Sequence, residues 1–119
     1  MSETLIAIVD DDPLVRAATA SLLRSCGYST REFASGRAFL EGDVDRFACL
    51  VSDVQMPEMT GVELCQRLVD REATLPMVLM TAYPRSVLER QAGKAGVAAV
   101  LEKPIDSDAF LAIVEAALA

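Results

Sequence analysis

Short apolar runs alternate with helix-patterned stretches five times along this chain, and no other feature narrows the fold as far. Leu5–Val9 (LIAIV), Phe47–Ser52 (FACLVS), Pro76–Met80 (PMVLM) and Val97–Leu101 (VAAVL) are almost wholly apolar, the pattern of strands buried on both faces. Ser29–Phe33 is half polar and reads as a strand near a sheet edge. Asp12 and Pro13 read as the N-cap and first position of a helix, with Leu14, Ala18 and Leu22 sharing its inner face and Gly27 ending it. Ser35 caps a short helix through Phe39 and Leu40, and Gly61–Arg71 carries Leu64, Cys65 and Leu68 at helical spacing. Val87, Leu88, Gln91, Ala92 and Ala95 mark a fourth helix ended by Gly96. Asp106 or Ser107 caps a last one, whose apolar face is Ala109, Phe110, Ile113, Val114 and Ala117. Strict alternation of this kind predicts an α/β fold, a single parallel sheet with helices on both faces. The 119 residues suit one domain spanning 1–119.

Composition removes several function classes. Eleven basic against eighteen acidic residues give a net charge of −7, so this segment lacks the basic face that nucleic-acid binding needs. It contains no histidine, which excludes Ser-His or Cys-His nucleophile pairs and any phosphohistidine of its own. Cys26, Cys49 and Cys65 are too far apart in sequence for a metal or redox motif and read as small buried hydrophobes in a reducing compartment. The opening residues lack the basic region and cleavage site of a signal peptide. No apolar run reaches the roughly 20 residues of a membrane span. A cytoplasmic protein without a membrane anchor is expected.

Ligands of an open parallel sheet bind beyond the carboxyl ends of its strands. The first apolar run is followed by Asp10, Asp11 and Asp12, the third by Asp53, the fourth by Thr81 and the fifth by Lys103 and Pro104. Asp12 is accounted for as a cap. Converging carboxylates repel, and a hard divalent cation with oxygen ligands relieves them. Mg²⁺ suits best, because it keeps waters and accepts phosphate oxygens. A hydroxyl and an ammonium beside it complete a site for a tetrahedral oxyanion. The set points to phosphoryl transfer to or from an aspartate.

The segments IVDDD, VSDVQMPEMTGVEL, VLMTA and LEKP together resemble the receiver domain of two-component response regulators, over essentially the whole chain. The detail of TGVEL and AGKAGVAAVLEKP is most similar to FixJ-type receivers. The resemblance implies a flavodoxin-like (βα)5 fold with strand order 2-1-3-4-5. It implies that Asp53 is the phosphoacceptor and that Asp10, Asp11, Asp53 and the backbone carbonyl of Gln55 hold Mg²⁺. Thr81 would be the switch hydroxyl and Lys103 the phosphoryl-binding lysine. A histidine kinase or phosphotransfer protein would be the donor. The face of helix four, strand five and helix five would serve an output domain or self-association.

Two features depart from the family pattern. Val100 stands where such receivers commonly carry an aromatic that swings inward, and a valine has no comparable rotamer change. In such receivers the positions of Gln55 and Tyr83 flank the path of the hydrolytic water, and neither residue is an acid, so the resemblance implies slow loss of the phosphoryl group. Two other readings compete. An aspartyl-phosphate phosphatase of the haloacid-dehalogenase type needs an acid where Gln55 stands, to serve as general base. A degenerate receiver acting as a docking scaffold would not need the complete set of Asp10, Asp11, Asp53, Thr81 and Lys103.

Overall fold

The structure, a computed structural model, describes residues 4–84, 86, 88, 90 and 97–119. Five parallel strands form one sheet: β1 (Leu5–Val9), β2 (Ser29–Phe33), β3 (Cys49–Asp53), β4 (Met77–Thr81) and β5 (Ala99–Glu102). Their order is β2-β1-β3-β4-β5, as the resemblance implies. β1 and β3 are neighbours, with Val9 beside Ser52. The acidic run after β1 therefore meets the acid that ends β3. Half-polar β2 lies at the edge, where one flank needs no strand partner.

Alternate residues along the strands feed two cores. Ala7, Val9, Leu50, Leu79 and Val100 pack with Phe39 of α2 (Gly36–Leu40) and with Leu64, Cys65 and Leu68 of α3 (Gly61–Asp70). On the opposite face Ile6, Ile8, Cys49, Val51, Val78, Met80 and Leu101 pack with Ala20 and Leu23 of α1 (Pro13–Ser25) and with Phe110 and Val114 of the last helix (Ser107–Leu118). Burial on both faces is why these strands read as continuous apolar runs. Each fully buried Leu, Ile, Val or Phe contributes about 1.5–3 kcal/mol. Such packing, through Phe39 and Leu40, holds the five-residue α2, which is far too short to be stable alone.

The helix starts follow their capping residues. The Asp12 side chain accepts from the Leu14 and Val15 amides, with Pro13 opening α1. Ser35 accepts from Ala38 at the start of α2. Thr60 and Glu63 form a reciprocal capping box at α3. Asp106 occupies the N-cap of the last helix without a side-chain hydrogen bond there. Gly27 follows α1 at φ 91°, a left-handed conformation that glycine adopts without strain.

Three expectations are corrected. α1 buries Ala20 and Leu23, not Leu14 and Ala18: Leu14 is 82% exposed, Ala18 is exposed and Leu22 is only half-buried. Ala20 and Leu23 are fully buried in the core, and Arg16 lies on the same face, its Nη1 donating to the Asp10 carbonyl at 2.7 Å and its Nε 3.4 Å from Glu32 Oε1. Ala20 and Leu23 stand at i+4 and i+7 from Arg16, the spacing of one helix face. Cys26 is exposed, at the C-cap of α1 where the chain turns on the surface. Cys49 and Cys65 are buried as expected, and burial pushes their thiols up to about 11 and about 12.

The strands also run past their apolar stretches. β3 begins at Cys49 because Phe47 closes a 3-10 turn (Val44–Arg46), its amide donating to the Val44 carbonyl and its ring packing on Phe33 and Phe39. Pairing of Asp53 with Met80 and of Thr81 with Glu102 carries the ladder one residue beyond each apolar run. Strand pairing is a backbone interaction and tolerates a polar side chain there. Most of the fourth helix expected over Val87–Gly96 lies outside the described residues, with Val87, Gln91, Ala92, Ala95 and Gly96 among those not described. Ser86, Leu88 and Arg90 are helical, and Leu88 is buried. Among the described residues no helix is long and apolar enough to cross a membrane.

Candidate functional site

Asp10 leaves the end of β1 with its carboxyl group inside the protein, 1% exposed. One oxygen, Oδ1, accepts from the Asp12 amide at 2.9 Å. The other, Oδ2, is buried with no hydrogen-bond partner. Asp53, the last residue of β3, is also buried, and Asp11 is exposed. One carboxylate oxygen from each of Asp10, Asp11 and Asp53 lies within 4.8 Å of the others. Burial is the chief reason that the Asp10 carboxyl is held above its ordinary pKa. The Asp12 amide opposes that rise, Asp53 adds to it, Lys103 opposes it and Asp11 adds again.

Lys103 follows β5, and its amide donates to the Thr81 carbonyl at 2.6 Å. Its Nζ lies 2.8 Å from Asp53 Oδ1. This contact is an ion pair and not an aligned hydrogen bond, since Oδ1 has no hydrogen-bond partner by geometry. The lysine side chain stays 30% exposed, so its ammonium can meet an incoming anion. The Lys103–Pro104 peptide is cis.

Thr81 ends β4, fully buried. Gln55, two residues past Asp53, is half-buried and places its amide against the Thr81 hydroxyl: Nε2 lies 3.1 Å and Oε1 3.4 Å from Oγ1. Tyr83 donates its backbone amide to the same hydroxyl at 3.0 Å, while its side chain is 58% exposed. Val100 is buried in the core shared with Leu79 and Leu88.

The sheet therefore brings Asp10, Asp11, Asp53, Thr81 and Lys103 to one edge, with Gln55 beside Thr81. Val100 stays in the core and Tyr83 faces outward. Two contributors escape sequence reasoning, Arg16 and the side chain of Gln55. Arg16 ties the end of β1 to α1 and β2. Its signal was a cation in the first turns of a helix, where the dipole disfavours one unless a specific partner holds it. Gly61 opens α3 directly on the backbone of Asp53, where an added Cβ would collide with the Asp53 carbonyl oxygen and meet Val54 Cα at 3.1 Å. The glycine of Asp-x-x-Met-Pro-x-x-x-Gly reads as serving the backbone at the entry to this helix, and the close approach is the cause. The Gln55 side chain on Thr81 left no mark in the sequence.

The family model for the response regulator receiver domain matches residues 6–115. The chain belongs to the response-regulator receiver family. Among curated relatives, this receiver is 40% identical to the transcriptional regulatory protein FixJ of Azorhizobium caulinodans, over 99% of this chain and 57% of that protein. It is 36% identical to the response regulator protein TodT of Pseudomonas putida, over 97% of this chain and 51% of that one. The receiver thus spans little more than half the length of these relatives. Among solved structures, FixJ-N superposes with a TM-score of 0.90 at 33% identity, covering 99% of this chain and 95% of that one. Full-length FixJ from B. japonicum superposes with a TM-score of 0.86 at 33% identity, over 99% of this chain and 59% of that one. The chemotaxis protein CheY4 of Vibrio cholerae shares the fold, with a TM-score of 0.86 at 24% identity, over 98% of this chain and 100% of that one. The FixJ-type resemblance read from the sequence holds. Receivers of this family are signalling proteins of two-component systems.

Proposed function

We propose that Asp53 accepts a phosphoryl group from the phosphohistidine of a histidine kinase or phosphotransfer protein, and that the receiver takes an active part in this transfer. The observation that carries the reading is the Lys103–Asp53 ion pair at 2.8 Å, with Asp53 one of three carboxylates whose oxygens lie within 4.8 Å of one another. A carboxylate oxygen of Asp53 attacks phosphorus in line, and the P–O bond forms as the P–N bond of the donor breaks. The imidazole leaves and takes up a proton. Lys103, already at Asp53, neutralises charge on the transferring oxygens. Thr81 donates its hydroxyl proton to another phosphoryl oxygen.

The residues fit Mg²⁺. A buried Asp10 oxygen without a partner, next to two further carboxylates, is a donor set that a hard cation satisfies. Asp10, Asp11, Asp53 and the Gln55 backbone carbonyl would hold it. Bound there, Mg²⁺ supplies positive charge to the carboxylates and the phosphoryl oxygens. The aspartyl-phosphate phosphatase reading is weaker, since Gln55 spends its amide on Thr81 and no acid stands in its place. The intact set of site residues likewise weighs against a degenerate scaffold.

We further propose a cytoplasmic protein, consistent with the thiols of Cys49 and Cys65 buried and free. β5, the last helix and the helix between β4 and β5 would form the face that passes the signal to an output domain or a second copy. Calorimetric titration with MgCl₂ tests the site. Weak binding is expected in the parent and markedly weaker binding in Asp11→Asn and Asp53→Asn. Equal binding in all three proteins would contradict the assignment. Lys103→Ala should impair phosphorylation by acetyl phosphate or uncouple it from the conformational switch.

A further inference from the structure

A threonine hydroxyl has one proton to donate and two lone pairs to accept with. Both lone pairs of Thr81 are engaged, and its proton faces Gln55 Oε1 over a longer contact. Its Oγ1 accepts from the Tyr83 amide at 3.0 Å and from Gln55 Nε2 at 3.1 Å, and donates to Gln55 Oε1 at 3.4 Å. Gln55 Oε1 also accepts from the Ala82 amide at 3.3 Å. That bond fixes which way the Gln55 side chain faces, because only its oxygen can meet a backbone donor. The Thr81 hydroxyl is therefore held against the Gln55 amide before any phosphoryl group arrives. To reach a phosphoryl oxygen it must leave Gln55.

We propose that Gln55 is a resting-state latch on Thr81, a positioning residue whose hydrogen bonds are exchanged when Asp53 is phosphorylated. This rests on Asp53 as phosphoacceptor. The exchange is of hydrogen bonds only: the Thr81 proton leaves Gln55 Oε1 for a phosphoryl oxygen, and the Gln55 amide swings away with its bond to Ala82. The latch also gives this receiver a restraint on Thr81 that Val100, fixed in the core, cannot supply. A ligand shifts a two-state equilibrium only by its differential affinity for the two states. Part of the phosphoryl group's interaction energy then goes into opening the latch, and a receiver without it binds a phosphoryl mimic more tightly.

The test is titration of the Mg²⁺-loaded protein with beryllofluoride, a phosphoryl mimic. Parent, Gln55→Met, Thr81→Ala and the double variant form a thermodynamic cycle. Methionine keeps the length of Gln55 and loses its amide. Gln55→Met should bind roughly three- to tenfold more tightly than the parent, the worth of one ordinary net hydrogen bond. The gain should vanish when Thr81 is already alanine. In the mimic-free Gln55→Met protein, the Ala82 and Tyr83 amide resonances should already move toward their positions in the bound parent. A Gln55→Met protein that melts earlier but binds no more tightly has lost a structural bond only, and the latch is overturned. A gain that persists in the Thr81→Ala background overturns it too. Parent protein that fails to bind, or Asp53→Asn that binds like the parent, overturns the phosphoacceptor reading and the latch with it.

Discussion

Asp10 holds a carboxyl group where water cannot reach one of its oxygens and no protein donor replaces it. Without a cation that arrangement costs folding free energy. Asp10→Asn should stabilise the metal-free protein at neutral pH by about 1–2 kcal/mol, the scale of an unsatisfied buried polar group. The pH dependence follows from the raised Asp10 pKa, whose main cause is burial. The folded chain holds that proton more tightly than the unfolded chain does. The penalty is full above the raised value and is relieved as pH falls through it toward the ordinary carboxylate range. The advantage of the asparagine variant should shrink over that window in urea unfolding, and a variant less stable than the parent at neutral pH would contradict the account. Lifetime is the second property set by single residues. The amide of Gln55 cannot take a proton from the hydrolytic water, and no carboxylate stands at Tyr83 to do so. Phospho-Asp53 should persist for minutes or longer after donor removal, because neither flanking residue supplies a base. Decay within seconds in the parent would show that the missing base does not limit hydrolysis. The acids, Thr81 and Lys103 were legible because each ends an apolar run. The Gln55–Thr81 bond was not, because an amide has no preferred partner until topology brings residues 26 apart together.

At the level of elements, the strands were readable from burial on both faces, whereas the inner face of α1 was not. Leu14, Val15, Ala17, Ala18, Ala20, Leu22 and Leu23 place apolar groups around much of that helix, so periodicity alone does not choose a side. Burial of Ala20 and Leu23 in the core marks the inner face, and Arg16, held by the Asp10 carbonyl and Glu32, lies on it. Leu23→Ala should cost about 2–5 kcal/mol, as buried leucine truncations do. Leu14→Ala, at an exposed site, should change stability by no more than about 0.5 kcal/mol. Denaturant unfolding of the two variants checks this, and comparable losses would restore the face that periodicity suggested. The junction of β3 with α3 gives a sharper case. The added methyl group of Gly61→Ala would run into the Asp53 carbonyl, and overpacking of this kind costs about 1–3 kcal/mol. A Gly61→Ala protein as stable as the parent would mean that α3 does not press on the end of β3 as described.

The molecule as a whole joins an acidic chain, net −7, to a sheet order that sets β1 beside β3 and β4 beside β5. That order converts four separate strand ends into one site. The alternating pattern predicts a parallel sheet, but it does not say which strands touch. Order came from the family resemblance, and the structure agrees with it. Whether this assembly does what its geometry supports reduces to one residue. The parent and Asp53→Asn should be incubated side by side with acetyl phosphate and Mg²⁺, then followed by intact-protein and peptide mass spectrometry. The account predicts the mass gain of a single phosphoryl group on the parent, mapped to the peptide holding Asp53, and none on Asp53→Asn. Equal labelling of the two proteins, or no labelling of the parent, would contradict it.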